Sequence, residues 1–132
     1  MWREASPIPV GWQSVGDSAV TGSDGRIYLF GDCLNPAAAN SAYAYTPSTD
    51  TWVSLAPLPV PGCGTAVFGA DGRIYVMTGG DNLPTSTEAY TPAANTWTVL
   101  APLPLPSSGE LDSFAAARGG DGRIYVFGGN GG

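Results

Sequence analysis

Histidine and lysine are both absent from this 132-residue sequence, and arginine supplies all five of its basic residues. Eleven acidic residues leave the chain with a net charge of −6. Binding to nucleic acid requires a basic surface that neutralises phosphates, so this charge balance excludes it as a main function. The same balance opposes attraction to anionic lipid surfaces. We therefore expect neither a nucleic-acid partner nor a membrane partner.

Long apolar runs and metal-binding cysteine motifs are missing as well. The longest apolar stretches are far shorter than the 18 residues of a membrane-spanning helix. Cys33 and Cys63 allow one disulfide at most, and their spacing fits no metal site. Without histidine, any metal ion would have to be a hard cation held by oxygen atoms.

Glycine and proline are plentiful, with 19 and 12 copies, beside 43% hydrophobic residues. This apolar content is enough for a core, so the glycines and prolines punctuate many short strands rather than indicate disorder. Apolar residues alternate with period two in runs such as Ile27–Phe30, and no window shows a helical stripe. The pattern predicts an all-β protein.

A repeat of 45 to 50 residues organises the chain. Asp-Gly-Arg-Ile-Tyr begins at Asp24, Asp71 and Asp121, and Tyr-Thr-Pro begins at Tyr45 and Tyr90. Each Tyr-Thr-Pro is followed by a tryptophan seven residues after the tyrosine and then by Leu-Ala-Pro-Leu-Pro. Residues 2–10 align without gaps on residues 52–60. A fixed period of this length is typical of propeller blades.

Each unit is expected to contain four antiparallel strands. Asp-Gly predicts a tight turn between strands one and two because both residues tolerate positive φ, and Tyr-Thr-Pro predicts a turn after strand three. Complete blades are predicted over 13–56 and 62–101. Residues 1–12 are predicted to supply the last strand of a split blade, from Trp2 to about Ala5, and residues 112–132 its first two strands.

The ordered motifs resemble the kelch-repeat family of β-propellers. The matching features are the glycine pairs at 79–80 and 128–129, then the tyrosine, then the tryptophan, while Gly31-Asp32 departs from the pattern. The resemblance implies a closed ring of six or seven blades in which these residues are structural. It also implies a protein-interaction platform, since kelch propellers commonly have that role.

A partial propeller of this kind has open lateral faces. Two copies, each with two complete blades and the two parts of a split blade, would close a six-bladed ring with two-fold symmetry. We therefore expect the partner to be the chain itself, as a homodimer, with a protein or small-molecule ligand as a further partner.

The predicted binding face is formed by the variable loops that follow strands two and four, because binding residues usually lie on such loops. Its candidate residues are Asp32, Asn35, Asp81, Asn82, Glu110, Asp112 and Asn130. Asp17 and Arg118 lie on predicted innermost strands and could line the central channel. No cofactor is expected, although Asp32, Asp81 and Asn130 occupy nearly equivalent places just after strand two. Repeated around a ring, their oxygen atoms could form a collar that holds a cation such as calcium in the central channel. Solvated loop residues and turn formers are the simpler interpretation.

Three hypotheses of function stay open at this point. The first is a non-catalytic binding scaffold that assembles into a ring, with no catalytic residues and no metal site. The second is a propeller enzyme, isomerase-like or lyase-like, with a carboxylate-lined channel in which Arg118 assists acid/base chemistry. The third is an excised or engineered fragment with no function of its own.

Overall fold

A computed structural model describes residues 2–9, 19–32, 35–80, 83–102 and 114–128. Within these ranges the chain forms ten β-strands in three antiparallel sheets and one short 3₁₀ turn. In each sheet the strands follow one another in chain order, which is the meander of a propeller blade. The expected all-β class with four-stranded antiparallel blades is therefore confirmed.

The two four-stranded sheets are blade 1 and blade 2, and the two-stranded sheet is called the third sheet. Blade 1 contains β1 (Ala19–Thr21), β2 (Ile27–Phe30), β3 (Ala42–Thr46) and β4 (Thr51–Ser54). Blade 2 contains β5 (Cys63–Phe68), β6 (Ile74–Gly80), β7 (Leu83–Thr91) and β8 (Thr96–Leu100). The third sheet contains β9 (Phe114–Arg118) and β10 (Ile124–Gly128), and the 3₁₀ turn spans Pro36–Ala38.

Each blade has two faces with different aromatic residues. Residues directly opposite each other on paired strands share a face, and Tyr45 lies opposite both Ile27 and Trp52. The side chains of Tyr28 and Phe30 alternate with Ile27 and so point the other way. We call the face that carries Tyr28 and Phe30, or their equivalents in strand two of the other sheets, face A. The face with the tyrosine of strand three and the tryptophan of strand four is face B.

The hydrophobic core lies where face A of blade 1 meets face B of blade 2. Strands with β-branched and aromatic residues at every second position supply it, because alternation directs those side chains to one face. Its buried members are Tyr28, Phe30, Ala42, Ala44, Leu58, Ala66, Ile74, Val76 and Tyr90. The core is therefore an interface between blades.

The first strands of the three sheets lie side by side. β1 contacts β5, and β5 contacts β9. This is the arrangement expected of the innermost strands of neighbouring blades around a propeller axis. It places the third sheet next to face A of blade 2.

The Asp-Gly turns differ in detail from the expected tight turn. In blade 1 the loop is closed by a hydrogen bond from Gly22 N to Arg26 O and another from Gly25 N to Gly22 O. Only the second turn residue uses positive φ: Gly25 has φ 79°, and Gly72 and Gly122 have φ 83°. The aspartate instead serves as a hydrogen-bond acceptor, as Asp24 does for the backbone and side chain of Arg26.

The leading segment, residues 2–9, was expected to include a strand from Trp2 to about Ala5. In the described structure it forms no strand, because a strand needs a neighbour and no third strand of the split blade lies beside it. The segment docks on blade 1 through hydrogen bonds instead. The split blade itself remains a prediction.

Membrane insertion through a helix finds no support in the described ranges. They contain no helix that is long and apolar enough to cross a bilayer.

Candidate functional site: the blade faces

An aromatic cluster joins blade 1 to blade 2. On face A of blade 1, the rings of Tyr28 and Phe30 stack with centroids 6.4 Å apart. On face B of blade 2, the ring of Tyr90 lies 6.0 Å from that of Tyr28, and the indole of Trp97 meets Phe30 edge-on at 5.3 Å. Tyr28, Phe30 and Tyr90 are almost completely buried. Such pairs add to the burial of apolar area, so these four rings dominate the contact between the blades.

A hydrogen-bond relay fixes the segment after each fourth strand on the following blade. Trp97 Nε1 donates to Ala56 O at 2.8 Å, and Ala56 N donates to Asn95 Oδ1 at 3.0 Å. The same Asn95 oxygen accepts from Tyr90 Oη at 2.8 Å. The tyrosine and tryptophan of the repeat therefore hold the preceding segment as well as filling the core.

The leading segment makes the same relay on blade 1. Trp52 Nε1 donates to Ser6 O at 2.9 Å, Ser6 N donates to Asp50 Oδ1 at 2.9 Å, and Tyr45 Oη donates to the same oxygen at 2.6 Å. Ser6 thus stands where Ala56 stands one blade later, as the gapless alignment of residues 2–10 on 52–60 implies. The hydrogen bonds from Ser6 N, Tyr45 and the Ser6 hydroxyl lower the pKa of Asp50 to about 2.

The outer face of the third sheet and the leading segment leave the equivalent aromatic residues exposed. In the third sheet, Tyr125 and Phe127 stack at 6.4 Å and 15°, nearly the geometry of the Tyr28–Phe30 pair. They are 41% and 61% exposed, whereas the pair on blade 1 is covered by blade 2. Trp2, which aligns with Trp52, is fully exposed. These are apolar surfaces of the kind that marks protein contacts.

The repeated aspartate of each Asp-Gly turn organises a small polar network. Asp71 Oδ2 accepts from Tyr75 Oη at 2.6 Å and from Arg73 Nε at 2.8 Å, and Oδ1 accepts from Arg73 N at 3.1 Å. Burial acts to raise the pKa of Asp71, but the bonds from Tyr75 and Arg73 outweigh it and lower the pKa to about 2. Asp24 forms the equivalent contacts in blade 1.

Two of the three repeated arginines thus pair with a carboxylate of their own turn, at 2.7 Å for Arg26 and 2.8 Å for Arg73. Both guanidinium groups also lie 5.2 Å from the centroid of the neighbouring tyrosine ring. An arginine that is paired and stacked locally in this way has a structural role in its turn.

Asp32 and Asn35 of the variable face stabilise the loop that follows β2. Asp32 is 1% exposed, and its Oδ1 accepts a hydrogen bond from Asn35 N at 3.3 Å. Asn35 Oδ1 accepts from Ala37 N at 3.1 Å and caps the 3₁₀ turn. Both residues therefore shape the loop, and their expected role in binding stays a prediction.

Arg118 occupies the last position of β9, on an innermost strand as predicted. Its guanidinium carbon lies 5.5 Å from the centroid of the Phe68 ring in blade 2. Because it precedes the turn into β10, it lies at the tight-turn end of the strand, away from the variable loops. The remaining candidates lie outside the described residues: Asp17, Asp81, Asn82, Glu110, Asp112 and Asn130.

Glu88 is a buried carboxyl that the sequence analysis did not single out. It is fully buried on face B of blade 2, where the corresponding residue of blade 1 is Tyr43. Its Oε1 accepts from Val60 N at 2.7 Å, in the segment that links the blades, while Oε2 and the hydroxyl of Thr78 have no partner. A glutamate two residues before the repeated tyrosine, where blade 1 carries Tyr43, was the available signal.

Glu88→Gln is expected to make the chain more stable at pH 7, with the gain shrinking as the pH falls toward 4.5. Burial raises the pKa of Glu88 above its ordinary 4.5, outweighing the bonds from Val60 and Ser86. The folded state then holds a proton that the unfolded state releases, so stability falls as the pH rises through this range. Glutamine keeps the bond from Val60 without this cost.

Urea unfolding followed by tryptophan fluorescence at pH 4.5 and pH 7 measures the effect. Glu4→Gln is the matched control, because Glu4 is exposed. Equal midpoints for the parent and Glu88→Gln at both pH values would show that the buried carboxyl does not influence folding.

The described ranges contain no group of three or more histidine, cysteine, aspartate or glutamate side chains that could hold a metal ion. Of the predicted cation collar, Asp32 is buried and accepts a hydrogen bond from Asn35 N, while Asp81 and Asn130 lie outside the described residues. A cation in the channel therefore remains a prediction.

These blades and their repeated aromatic contacts define a β-propeller architecture. The Kelch motif matches residues 16–59 and 61–104, which together cover two thirds of the chain. The chain belongs to the kelch-repeat family, as the resemblance of its motifs implied.

Two curated relatives illustrate this membership. The chain is 37% identical to beta-scruin of Limulus polyphemus over 79 residues, and 33% identical to the human Kelch repeat and BTB domain-containing protein 13 over 75 residues. These alignments cover 59% and 57% of the chain but only 8% and 16% of the two relatives. The similarity thus concerns repeat units and not whole proteins.

Proposed function

We propose that the chain is a non-catalytic binding scaffold that joins a second copy side by side, so that two copies form a closed six-bladed ring. The observation that supports this is the Tyr125–Phe127 pair. It repeats the geometry of the Tyr28–Phe30 pair, yet it is 41% and 61% exposed where the other pair is buried. This type of aromatic pair forms the core of the contact between blades 1 and 2, so the exposed pair of the third sheet is suited to form the same contact with a second copy.

The complementary surface belongs to the same chain. Tyr45 and Trp52 on face B of blade 1 correspond to Tyr90 and Trp97, which cover the Tyr28–Phe30 pair. Packing the third sheet of one copy on blade 1 of the other would repeat the contact between blades 1 and 2. Because each copy offers both surfaces, a two-fold axis gives two identical junctions and no open face.

The family supports the binding part of this proposal. Kelch propellers commonly present their variable loops to protein partners, and rigid strands with variable loops are suited to that task. We place ligand contacts on the face formed by the loops after strands two and four. An enzymatic role remains the alternative without a described catalytic cluster to support it.

Self-association is expected to give a species of twice the 13.5 kDa chain mass when the 132-residue chain is analysed by size exclusion with light scattering at micromolar concentration. Phe127→Ser is expected to shift this species to the monomer, because burial of one phenylalanine contributes roughly 1.5–3 kcal/mol at each of two junctions.

Val99→Ser is the matched control. Val99 is 56% exposed on β8, and the equivalent position of blade 1 already carries Ser54. This variant should remain dimeric, with unchanged far-ultraviolet circular dichroism in both variants. A parent chain that is folded and monomeric, or a Phe127→Ser variant that dimerises normally, contradicts the proposal.

A further inference from the structure

A cavity of about 340 Å³ opens between blade 2 and the third sheet, beside β10. Glycines and small side chains form much of its wall, and an aromatic ring and a carboxylate form the rest. It is lined by Gly69, Ala70, Asp71, Tyr75, Gly122 and Ile124.

The equivalent space between blades 1 and 2 is filled by the ring of Tyr90. Tyr75 and Ile124 of the cavity correspond to Tyr28 and Ile74 in the repeat. Tyr90 lies opposite Ile74 on the paired strands, and its ring centroid is 6.0 Å from that of Tyr28. The cavity is therefore lined like a pocket that accepts an aromatic side chain from a neighbouring strand.

The strand that would carry this side chain would lie beside β10, in the place of the third strand of a blade. In blades 1 and 2 the second strand pairs on both sides, β2 with β1 and β3, and β6 with β5 and β7. Among the described residues β10 pairs with β9 alone. Within the part of the chain that the structure describes, the outer edge of β10 is therefore open to an added strand.

The leading segment of a second copy does not fit this position. Ser6 makes the contacts that Ala56 makes, so residues 2–4 correspond to residues 52–54 of β4, the fourth strand of blade 1. Second and fourth strands of a meander run in the same direction, whereas the third strand must run antiparallel to β10. In a ring of two copies, the leading segment of the second copy would therefore not pair with the outer edge of β10.

We propose that β10 and this cavity form a binding site for a separate polypeptide, which adds one extended strand antiparallel to β10 and places a tyrosine opposite Ile124. This is β-augmentation, in which backbone hydrogen bonds supply affinity and a pocket for one side chain supplies specificity. The site is distinct from the Tyr125–Phe127 surface, because those two side chains point away from Ile124. The inference therefore stands independently of the self-association proposed above.

The test uses the intact 132-residue chain and a dye-labelled synthetic peptide with the sequence of residues 83–101, which forms the third and fourth strands of blade 2. Fluorescence anisotropy should show saturable binding with one peptide per chain. A peptide carrying Tyr90→Ala should bind at least tenfold more weakly, while Tyr90→Phe should bind nearly as well. The partner of the Tyr90 hydroxyl, Asn95, lies within the peptide itself.

Hydrogen exchange locates the contact, since added protection should appear at the amides of β10 and not at those of β6. Variation on the peptide side avoids any loss of folding in the chain. Equal affinity of the parent and Tyr90→Ala peptides, protection elsewhere, or no binding overturns the inference. Light scattering separates the two proposals: a dimer that ignores the peptide rejects only the peptide site, and a monomer that binds it rejects only the ring.

Discussion

Tyr28→Ala is expected to lower the free energy of unfolding by about 3–5 kcal/mol, the usual cost of removing a large aromatic side chain from a core. The ring is fully buried and contacts Phe30 and Tyr90 across the blade interface. Its hydroxyl donates to Asp24 Oδ2 at 2.7 Å, and this bond is lost as well. Urea unfolding followed by circular dichroism measures the change.

Tyr125→Ala is the control for this substitution, because Tyr125 has the same place in the repeat and the same bond to aspartate, here Asp121 at 2.5 Å. Its ring is 41% exposed, so the loss should be about 1 kcal/mol in the monomer, the typical value for a point mutation. Similar losses for the two variants would mean that the contact between blades contributes little to stability.

Trp97→Ala is expected to have an effect of similar size, about 3–5 kcal/mol. The indole packs edge-on against Phe30 and at 5.0 Å from Tyr90. Its Nε1 also holds Ala56 O, so the segment between the blades loses an anchor. Intermediate burial of Trp97 places the expected value near the lower end of this range.

Trp2→Ala serves as the comparison for the tryptophan of the repeat, since Trp2 is fully exposed and should cost little in the monomer. Thermal unfolding at low concentration, where association is minimal, distinguishes the two. If Trp2→Ala destabilises the monomer as much as Trp97→Ala, the assignment of the tryptophan to blade packing is wrong.

The strands and their order could be predicted because the repeat provides several consistent signals in each unit. Period-two alternation in Ile27–Phe30 and the glycine after Asp24 each favour the same hairpin. The matching contacts of Ser6 and Ala56 agree with the alignment of residues 2–10 on 52–60, although that alignment was used only to predict a strand. Local chemistry of this kind is readable because it acts over a few residues.

The sequence could not predict contacts that depend on the exact geometry of the hairpins, the loops and the link between the blades. A Cβ built on Gly69 would lie 2.5 Å from the ring of Tyr75, which explains why glycine stands two residues before each turn aspartate. The sequence likewise did not indicate that Asp32 would be buried in its loop, or that Glu88 would face the link at Val60. These features depend on the distance between segments about 30 residues apart or on loop geometry.

The relay from tryptophan to the preceding segment has a consequence for how such proteins change in length. Trp97 binds a carbonyl group 41 residues earlier and Trp52 one 46 residues earlier, so each unit is recognised by its immediate successor alone. Insertion or deletion of one whole unit would therefore leave every remaining junction chemically intact. Gene duplication can alter the number of units without redesigning any contact, and the closure of the ring then decides which numbers persist.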